Sequence, residues 1–170
     1  PVNGATLKDG ALVLANPNAH AITGPLSRTI TTKTLAAVVQ LADYKQRGGG
    51  IINIENGGGQ LFDAIVYGER DPQLWMAGSN FFKRTQTVAG PLEKEAVTTP
   101  VHIAITYAED GTITIYRNGE LYGQGYKSDG PATFVKDQSV IALGMRHSPA
   151  NPRVCFKGKI HHAEIYDQAL

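Results

Sequence analysis

The sequence lacks the features that mark several classes of protein. Its 170 residues include one cysteine, and its 16 Lys and Arg residues against 15 Asp and Glu residues give a formal net charge of +1. One thiol cannot form an internal disulfide, and a charge this close to zero gives no electrostatic basis for binding nucleic acid or an anionic membrane. No apolar run approaches the roughly 20 residues that span a bilayer. These absences favour a globular domain that depends on its hydrophobic core.

The single cysteine, Cys155, lies in the apolar stretch 153–156. A reactive thiol needs an electropositive and partly exposed setting, whereas an apolar strand predicts a small buried residue. We therefore expect a structural role for Cys155. The chain starts at Pro1 without a methionine, and we expect residues 1–170 to be one domain excised from a larger multidomain protein.

The sequence is rich in turn residues that separate short apolar runs. It has 19 glycines and 9 prolines, and no long stretch has the periodicity of a helix. Two-residue alternation predicts strands at residues 11–14, 34–41, 51–55, 61–67, 73–77, 81–87, 101–107, 112–116, 121–122, 139–143 and 156–166. Strands this short and closely spaced indicate an all-β fold, a two-sheet antiparallel β-sandwich or jelly roll.

The clearest local signal is a hairpin at residues 101–116. Two alternating runs flank Asp110-Gly111, and Asn118-Gly119 marks a second tight turn because both residues tolerate a positive φ. Alternation directs one set of side chains to the core, namely Val101, Ile103, Ile105 and Tyr107. It directs the small and polar set to a face that water or a ligand touches, namely His102, Ala104 and Thr106.

The closing seventy residues carry an ordered series of short motifs. They are Ala104-Ile105-Thr106-Tyr107, Asp110-Gly111, Tyr116-Arg117-Asn118-Gly119, Leu143-Gly144, Phe156-Lys157-Gly158-Lys159-Ile160 and Ile165-Tyr166-Asp167-Gln168-Ala169-Leu170. This series resembles the laminin-G-like domains of the concanavalin A-like lectin/glucanase superfamily, although Thr99-Pro100-Val101 replaces the tryptophan that often opens the central strand. The resemblance implies two antiparallel sheets packed face to face, one of them curved into a concave platform.

The resemblance also implies a function class. Its members are mostly non-catalytic ligand-binding or adhesion units of extracytoplasmic or secreted proteins, so we expect a carbohydrate-binding module. The alternative is a structural or protein-interaction domain that contacts neighbouring domains and binds no sugar. A glycoside hydrolase is a further alternative, but related glucanases carry Glu-x-Asp-x-x-Glu on one strand, whereas Glu55 and Asp63 here lie on two.

The most distinctive polar stretch, residues 62–79, holds the only tryptophan. Sugar sites combine an aromatic platform with planar hydrogen-bonding groups. The ligand-binding candidates are therefore Tyr67, Arg70, Trp75, Arg84, His102 and Tyr116. In the alternative interpretation Trp75 fills the core, as large aromatic residues usually do. Because Leu74 and Met76 alternate with Trp75, one of these two sets is expected to face outward.

Metal binding has weak support in the sequence. Strand alternation places the neighbouring His161 and His162 on opposite faces, so they cannot chelate one zinc ion together. The resemblance implies a structural Ca²⁺ bound through aspartates, and the possible donors are Asp9, Asp63, Asp110 and Asp167. The glycine triplets at 48–50 and 57–59 lack the lysine and helix start of a phosphate-binding loop, so we interpret them as mobile loops or turns.

Overall fold

Thirteen strands in a computed structural model, which describes residues 1–170, form two sheets that pack face to face. The strands are β1 (Thr6–Lys8), β2 (Ala11–Leu14), β3 (Ala21–Ile22), β4 (Lys33–Leu41), β5 (Gly49–Asn56), β6 (Phe62–Tyr67), β7 (Trp75–Ser79), β8 (Val101–Tyr107), β9 (Thr112–Arg117), β10 (Glu120–Leu121), β11 (Tyr126–Lys127), β12 (Ser139–Leu143) and β13 (Gly158–Tyr166). The larger sheet has the order β1-β2-β13-β4-β8-β9-β10, and β11 also pairs with β9. The smaller sheet has the order β3-β12-β5-β6-β7. The predicted all-β sandwich is confirmed.

The predicted hairpin lies in the larger sheet. Strands β8 and β9 pair antiparallel with Ile105 opposite Ile115, and Gly111 in the intervening turn has a φ of 83°. At the second turn, Asn118 and Gly119 have φ values of 51° and 83° and connect β9 to β10. Both turns therefore use the left-handed backbone that favours glycine and asparagine.

The core lies between the two sheets. From the larger sheet it receives the four side chains that alternation predicted, Val101, Ile103, Ile105 and Tyr107, each at most 1% exposed. From the smaller sheet it receives Ile52, Ile54 and Ile65 among others. Burying each such aliphatic side chain contributes about 1.5–3 kcal/mol, so this alternation accounts for the fold without a disulfide.

Residues 81–87 are not the strand that we predicted. The chain forms a short 3₁₀ helix at Asn80–Phe82, in which Phe81 has non-helical backbone angles, and then continues without regular structure. No helix of the protein is long and apolar enough to cross a membrane. The first glycine triplet also differs from its prediction as a loop, because Gly49 and Gly50 belong to β5.

A charged cluster lies inside the sandwich. Lys33 Nζ is 3.0 Å from Asp63 Oδ2, and Arg84 Nε donates to Asp63 Oδ1 at 2.8 Å. The Lys33 ammonium group also lies over the rings of Tyr107 and Phe134, at 4.5 Å and 5.0 Å from their centroids. Burial lowers the pKa of Lys33, although Asp63 opposes this shift. Breaking such a buried pair is strongly destabilising, because a charge is left without compensation.

The outer face of the smaller sheet is covered in part by the segment 145–149. This face carries Asn53 and Glu55 of β5 and Phe62 of β6, all of them buried. Asn53 Nδ2 donates to the backbone oxygen of Arg146 at 2.8 Å, and Ser148 donates from N and from Oγ to Glu55 at 2.8 Å and 2.5 Å. The segment is thus fixed to the sheet by buried polar side chains.

Cys155 is buried, as predicted from its apolar surroundings. Its Sγ donates toward Asn18 Oδ1 at 3.1 Å, and burial raises the pKa of the thiol. A raised pKa disfavours the reactive thiolate, which is consistent with a structural role.

Candidate functional site

A cleft of about 700 Å³ lies beside the outer face of the smaller sheet. Three parts of the chain that are distant in sequence line it: the β5–β6 connection, the turn after β7 and the start of the 145–149 segment, with one residue from the β6–β7 connection. The lining residues are Gly59, Gln60, Phe62, Glu69, Ser79, Asn80, Phe81, Phe82, Lys83, Arg146 and His147. A concavity of this size falls in the range of small-molecule sites.

Two adjacent phenylalanines line the cleft in a strained conformation. Phe81 and Phe82 have φ values of 52° and 56°, and they are 85% and 48% exposed. Left-handed backbone costs a residue with a Cβ roughly 1–2 kcal/mol. Exposure of two adjacent large aromatic side chains is also unusual in a folded domain, since neither gains the full burial energy. Strain that the core does not require is concentrated at functional sites.

Arg84 holds this turn against strand β6. Its Nη2 donates to the backbone oxygen of Phe62 at 3.1 Å and to Asn80 Oδ1 at 2.9 Å, while its Nε reaches Asp63. Its backbone N–H donates to Ser79 Oγ at 2.8 Å. These contacts tie both ends of the turn to buried groups, so they can maintain the backbone strain at the two phenylalanines.

The opposite wall of the cleft is the start of the 145–149 segment. The His147 ring stacks on Phe62 with centroids 4.7 Å apart and an interplanar angle of 27°. Gly59 approaches this segment closely: it has a φ of 68°, and a Cβ there would lie 2.3 Å from the backbone oxygen of Ser148. Only glycine fits both the backbone angle and the space, so the second glycine triplet shapes the cleft.

An ion pair between Glu69 and Arg146 also lines the cleft. Arg146 Nη1 donates to Glu69 Oε1 at 2.6 Å, with 4% of the Glu69 side chain and 23% of the Arg146 side chain exposed. Burial raises the pKa of Glu69, while Arg146 counteracts that shift. Glu69 Oε2 and Arg146 Nε are buried and have no hydrogen-bond partner. The hydrogen-bonding capacity of this ion pair is therefore only partly used.

Comparisons with known proteins agree with this architecture. The family model for a laminin G domain, described as concanavalin A-like lectin/glucanases superfamily, matches residues 15–170. The chain belongs to this superfamily. No curated protein sequence matches this laminin G-like domain.

Several solved structures share the fold of this laminin G-like domain at low sequence identity. Domains LG4-5 of the mouse laminin alpha1 chain match 99% of it with a TM-score of 0.68 and 14% identity, and the domain spans 45% of that chain. A heptameric SAP-like pentraxin from Limulus polyphemus matches 89% of the domain and 70% of its own chain, with a TM-score of 0.68 and 15% identity. The CBM40 of the Ruminococcus gnavus IT-sialidase, bound to α2,3 sialyllactose, matches 88% of the domain and 93% of its own chain, with a TM-score of 0.56 and 10% identity.

Two of the aromatic candidates lie inside the laminin G-like domain. Tyr67 and Trp75 are both 0% exposed, with ring centroids 5.0 Å apart, and Trp75 Nε1 donates to Glu93 Oε2 at 2.7 Å. Neither ring can serve as a stacking surface, and the core interpretation of Trp75 is the correct one. The expectation that either Trp75 or its neighbours face solvent was wrong, because Leu74 and Met76 are buried as well.

The other four candidates separate into two regions of the domain. Arg70 and Arg84 lie beside the cleft without lining it: the Arg70 guanidinium is 5.6 Å from the Phe82 ring centroid, whereas Arg84 is 7% exposed and supports the turn from inside. His102 and Tyr116 lie on the outer face of the larger sheet, where they line a separate groove of about 290 Å³. The six candidates therefore do not form one site.

The four aspartates proposed for calcium do not come together. Asp63 is paired with Lys33 and Arg84, Asp110 lies 2.6 Å from Lys127 Nζ, and Asp167 lies 2.7 Å from Arg28 Nη1. Asp9 occupies an exposed turn with a φ of 51°. No group of three His, Cys, Asp or Glu side chains is placed to share a metal ion. These residues define no position for a calcium ion, and calcium binding stays a prediction.

Sequence reasoning missed the residues that line the cleft, above all Phe81, Phe82, Glu69, Arg146 and His147. One signal was available, because two adjacent aromatic residues cannot both face the core of a strand that alternates every two residues. In any regular strand a Phe-Phe pair between Ser79-Asn80 and Lys83-Arg84 therefore directs one ring away from the sandwich core. No local signal linked this pair to Arg146, which is more than sixty positions away in the sequence.

Proposed function

We propose that this laminin G-like domain is a non-catalytic carbohydrate-binding module whose ligand occupies the cleft. The observation that carries the proposal is the pair Phe81-Phe82, which is held strained and exposed on a concave surface. Aromatic faces bind the C–H surfaces of sugar rings, and planar or ring nitrogen groups bind hydroxyls. Here Arg146 and His147 line the same cleft as the two phenylalanines.

The carboxylates near the cleft support a non-catalytic role. Glu55 is 1% exposed and accepts hydrogen bonds from Ser148 and Asn53. Glu69 is paired with Arg146. A retaining glycosidase needs one free carboxylate as nucleophile and a second carboxyl as acid, about 5–5.5 Å apart. Glu55 is fixed by hydrogen bonds and Glu69 by its ion pair with Arg146, so neither is the free carboxylate that a nucleophile requires.

A second candidate function is protein interaction, and the groove on the larger sheet favours it. Alanines 36 and 104 form part of its lining, with Tyr116, Tyr166 and Glu164 beside them. The domain would then contact neighbouring domains of the same chain. For both functions we propose that residues 1–170 act as one module of a longer extracytoplasmic or secreted protein. Binding of a structural Ca²⁺ stays a prediction for this module.

A glycan array separates the two functions. We expect the wild type to bind a subset of glycans and the variant Phe81→Ala/Phe82→Ala to lose that binding, since both side chains are exposed and their removal leaves the core intact. The matched control is Tyr166→Ala, which removes a 37% exposed aromatic ring from the other sheet. Absence of glycan binding by the wild type contradicts the proposal. Undiminished binding by the double variant also contradicts it. Loss of binding in Tyr166→Ala would indicate that the sugar binds in the groove of the larger sheet instead.

A further inference from the structure

The Glu69–Arg146 pair has hydrogen-bonding capacity that the protein itself does not use. Glu69 Oε1 accepts from Arg146 Nη1, but Oε2 of the same carboxylate has no partner, and neither does Arg146 Nε. Asn53 Oδ1, which belongs to the same layer under the segment 145–149, is a third such atom. Buried polar atoms nearly always have partners, and each exception costs about 1–3 kcal/mol. Two of these atoms belong to residues that line the cleft, which points to a ligand that supplies the missing partners.

The Glu69–Arg146 pair is itself neutral. Glu69 and Arg146 neutralise one another at 2.6 Å, whereas Lys83 and the nearby Arg70 add positive charge at the exposed rim of the cleft, where solvent screens it. A ligand carboxylate placed against Glu69 would experience repulsion in a partly buried setting, where charges are poorly screened. A neutral ligand leaves the pair intact.

We infer that the cleft selects neutral sugars that present two neighbouring hydroxyls to the Glu69–Arg146 pair, an inference that depends on the proposed carbohydrate-binding function. A hydroxyl both donates and accepts. One hydroxyl of a vicinal diol donates to Glu69 Oε2, and its neighbour accepts from the Arg146 guanidinium. Because solvent does not reach Oε2 and Nε in the free protein, this recognition requires both side chains to rotate toward the cleft when the ligand binds. The hydrogen bonds gained favour that rotation.

The phenylalanine pair and the ion pair have complementary roles in this recognition. Phe81 and Phe82 cover a ring face whatever its stereochemistry, so they provide affinity with little selectivity. The Glu69–Arg146 pair recognises the position and charge of polar substituents. Losing the phenylalanines is therefore expected to weaken binding of all ligands, whereas changing the ion pair alters the preference among them.

The first test uses the wild-type domain with matched sugars. The probes are methyl glycosides of glucose, galactose and mannose, their uronic acid counterparts oxidised at C6, and derivatives methylated on one hydroxyl of each diol, titrated by protein NMR. For each sugar that binds, we expect about tenfold weaker binding of the uronic acid and of one methyl ether. Equal or tighter binding of the uronic acids, or indifference to methylation, overturns the inference.

The second test changes the pair itself. Glu69→Gln keeps the side-chain volume but removes the charge, and we expect about tenfold weaker binding of the neutral sugar together with a smaller preference over its uronic acid. The control Glu109→Gln makes the same change at an exposed position in the β8–β9 turn, outside the cleft, and is expected to keep the preference. Thermal melting checks that Glu69→Gln is folded; if it is not, the wild-type comparison decides alone.

The outcomes separate this inference from the proposed function. Binding that requires Phe81 and Phe82 but keeps the wild-type preference in a folded Glu69→Gln variant overturns the inference and leaves carbohydrate binding in place. Absence of binding to every glycan on the array and to every probe overturns both.

Discussion

Arg84 donates from Nε to Oδ1 of Asp63 at 2.8 Å in the interior of the sandwich, and from Nη2 it also fixes the turn that carries the two exposed phenylalanines. One guanidinium therefore connects the buried charges of the core to the cleft. The position of the cleft wall depends on the same contacts that compensate Asp63.

Replacing Asp63 with alanine is expected to destabilise the domain by about 3–5 kcal/mol, because Lys33 and Arg84 then lie buried without a counter-charge. Urea unfolding measures this change. The matched control is Asp110→Ala, whose pair with Lys127 is exposed on both sides and should have a far smaller effect. Similar midpoints for the two variants would show that the buried cluster contributes little to stability.

Stability at acid pH is expected to depend on Glu93. Burial alone would raise the pKa of Glu93, but hydrogen bonds from Arg117, Trp75 and two backbone N–H groups prevail and lower it from 4.5 to about 2. A depressed pKa contributes stability that is complete above pH 4.5 and is lost as the pH falls through about 2. This difference corresponds to about 3 kcal/mol.

The test compares Glu93→Gln with the wild type, using Trp75 fluorescence to follow unfolding at several pH values. The variant should be less stable at pH 7, and the two stability curves should converge between about pH 4.5 and pH 2. Glu95→Gln is the control, since Glu95 contacts the same Arg117 but its side chain is 66% exposed. A constant difference between the Glu93→Gln and wild-type curves down to pH 2 would contradict the assignment.

Phe81 offers a direct test of backbone strain. Glycine is usually less stable than alanine in ordered structure, but at a φ of 52° the order should reverse, with Phe81→Gly more stable than Phe81→Ala by about 1 kcal/mol. Leu121, which is 60% exposed in a regular strand, should keep the usual order when the same two substitutions are made. The same order at both positions would mean that the turn is not strained. Both Phe81 variants should bind glycans more weakly.

Gly59 and Gly58 separate steric from conformational effects at the cleft. Both have a positive φ, but a Cβ at Gly59 collides with the backbone of Ser148, whereas a Cβ at Gly58 meets nothing within 4 Å. Gly58→Ala should cost about 1–2 kcal/mol from the backbone alone. Gly59→Ala should cost more, and NMR should show shifts in residues 146–148. Equal losses of stability in the two variants would indicate that the segment 145–149 moves away from the new Cβ without an energetic cost.

The hairpin at 101–116 could be predicted from sequence because its information is local: alternation and the turn with a positive φ at Gly111 determine it. The side of β7 on which Trp75 lies could not be predicted. Side chains on both faces of this strand are buried, so the sequence shows no alternation of apolar and polar residues that would distinguish the core face. Residues 81–87 have aromatic and β-branched side chains that favour a strand, yet hydrogen bonds from Arg84 to β6 impose a turn. The cleft depends on such contacts between residues distant in sequence, so the sequence around each lining residue did not identify it as part of a site.

The central place of β13 in the larger sheet has a consequence for how the domain is made. This strand, formed by residues 158–166, lies between β2 and β4, which come from the first quarter of the chain. A ribosome therefore releases both neighbours long before the strand that joins them exists, and their unpaired edges are open to wrong partners meanwhile. The native order of the larger sheet can therefore be completed only after residues 158–166 have been synthesised.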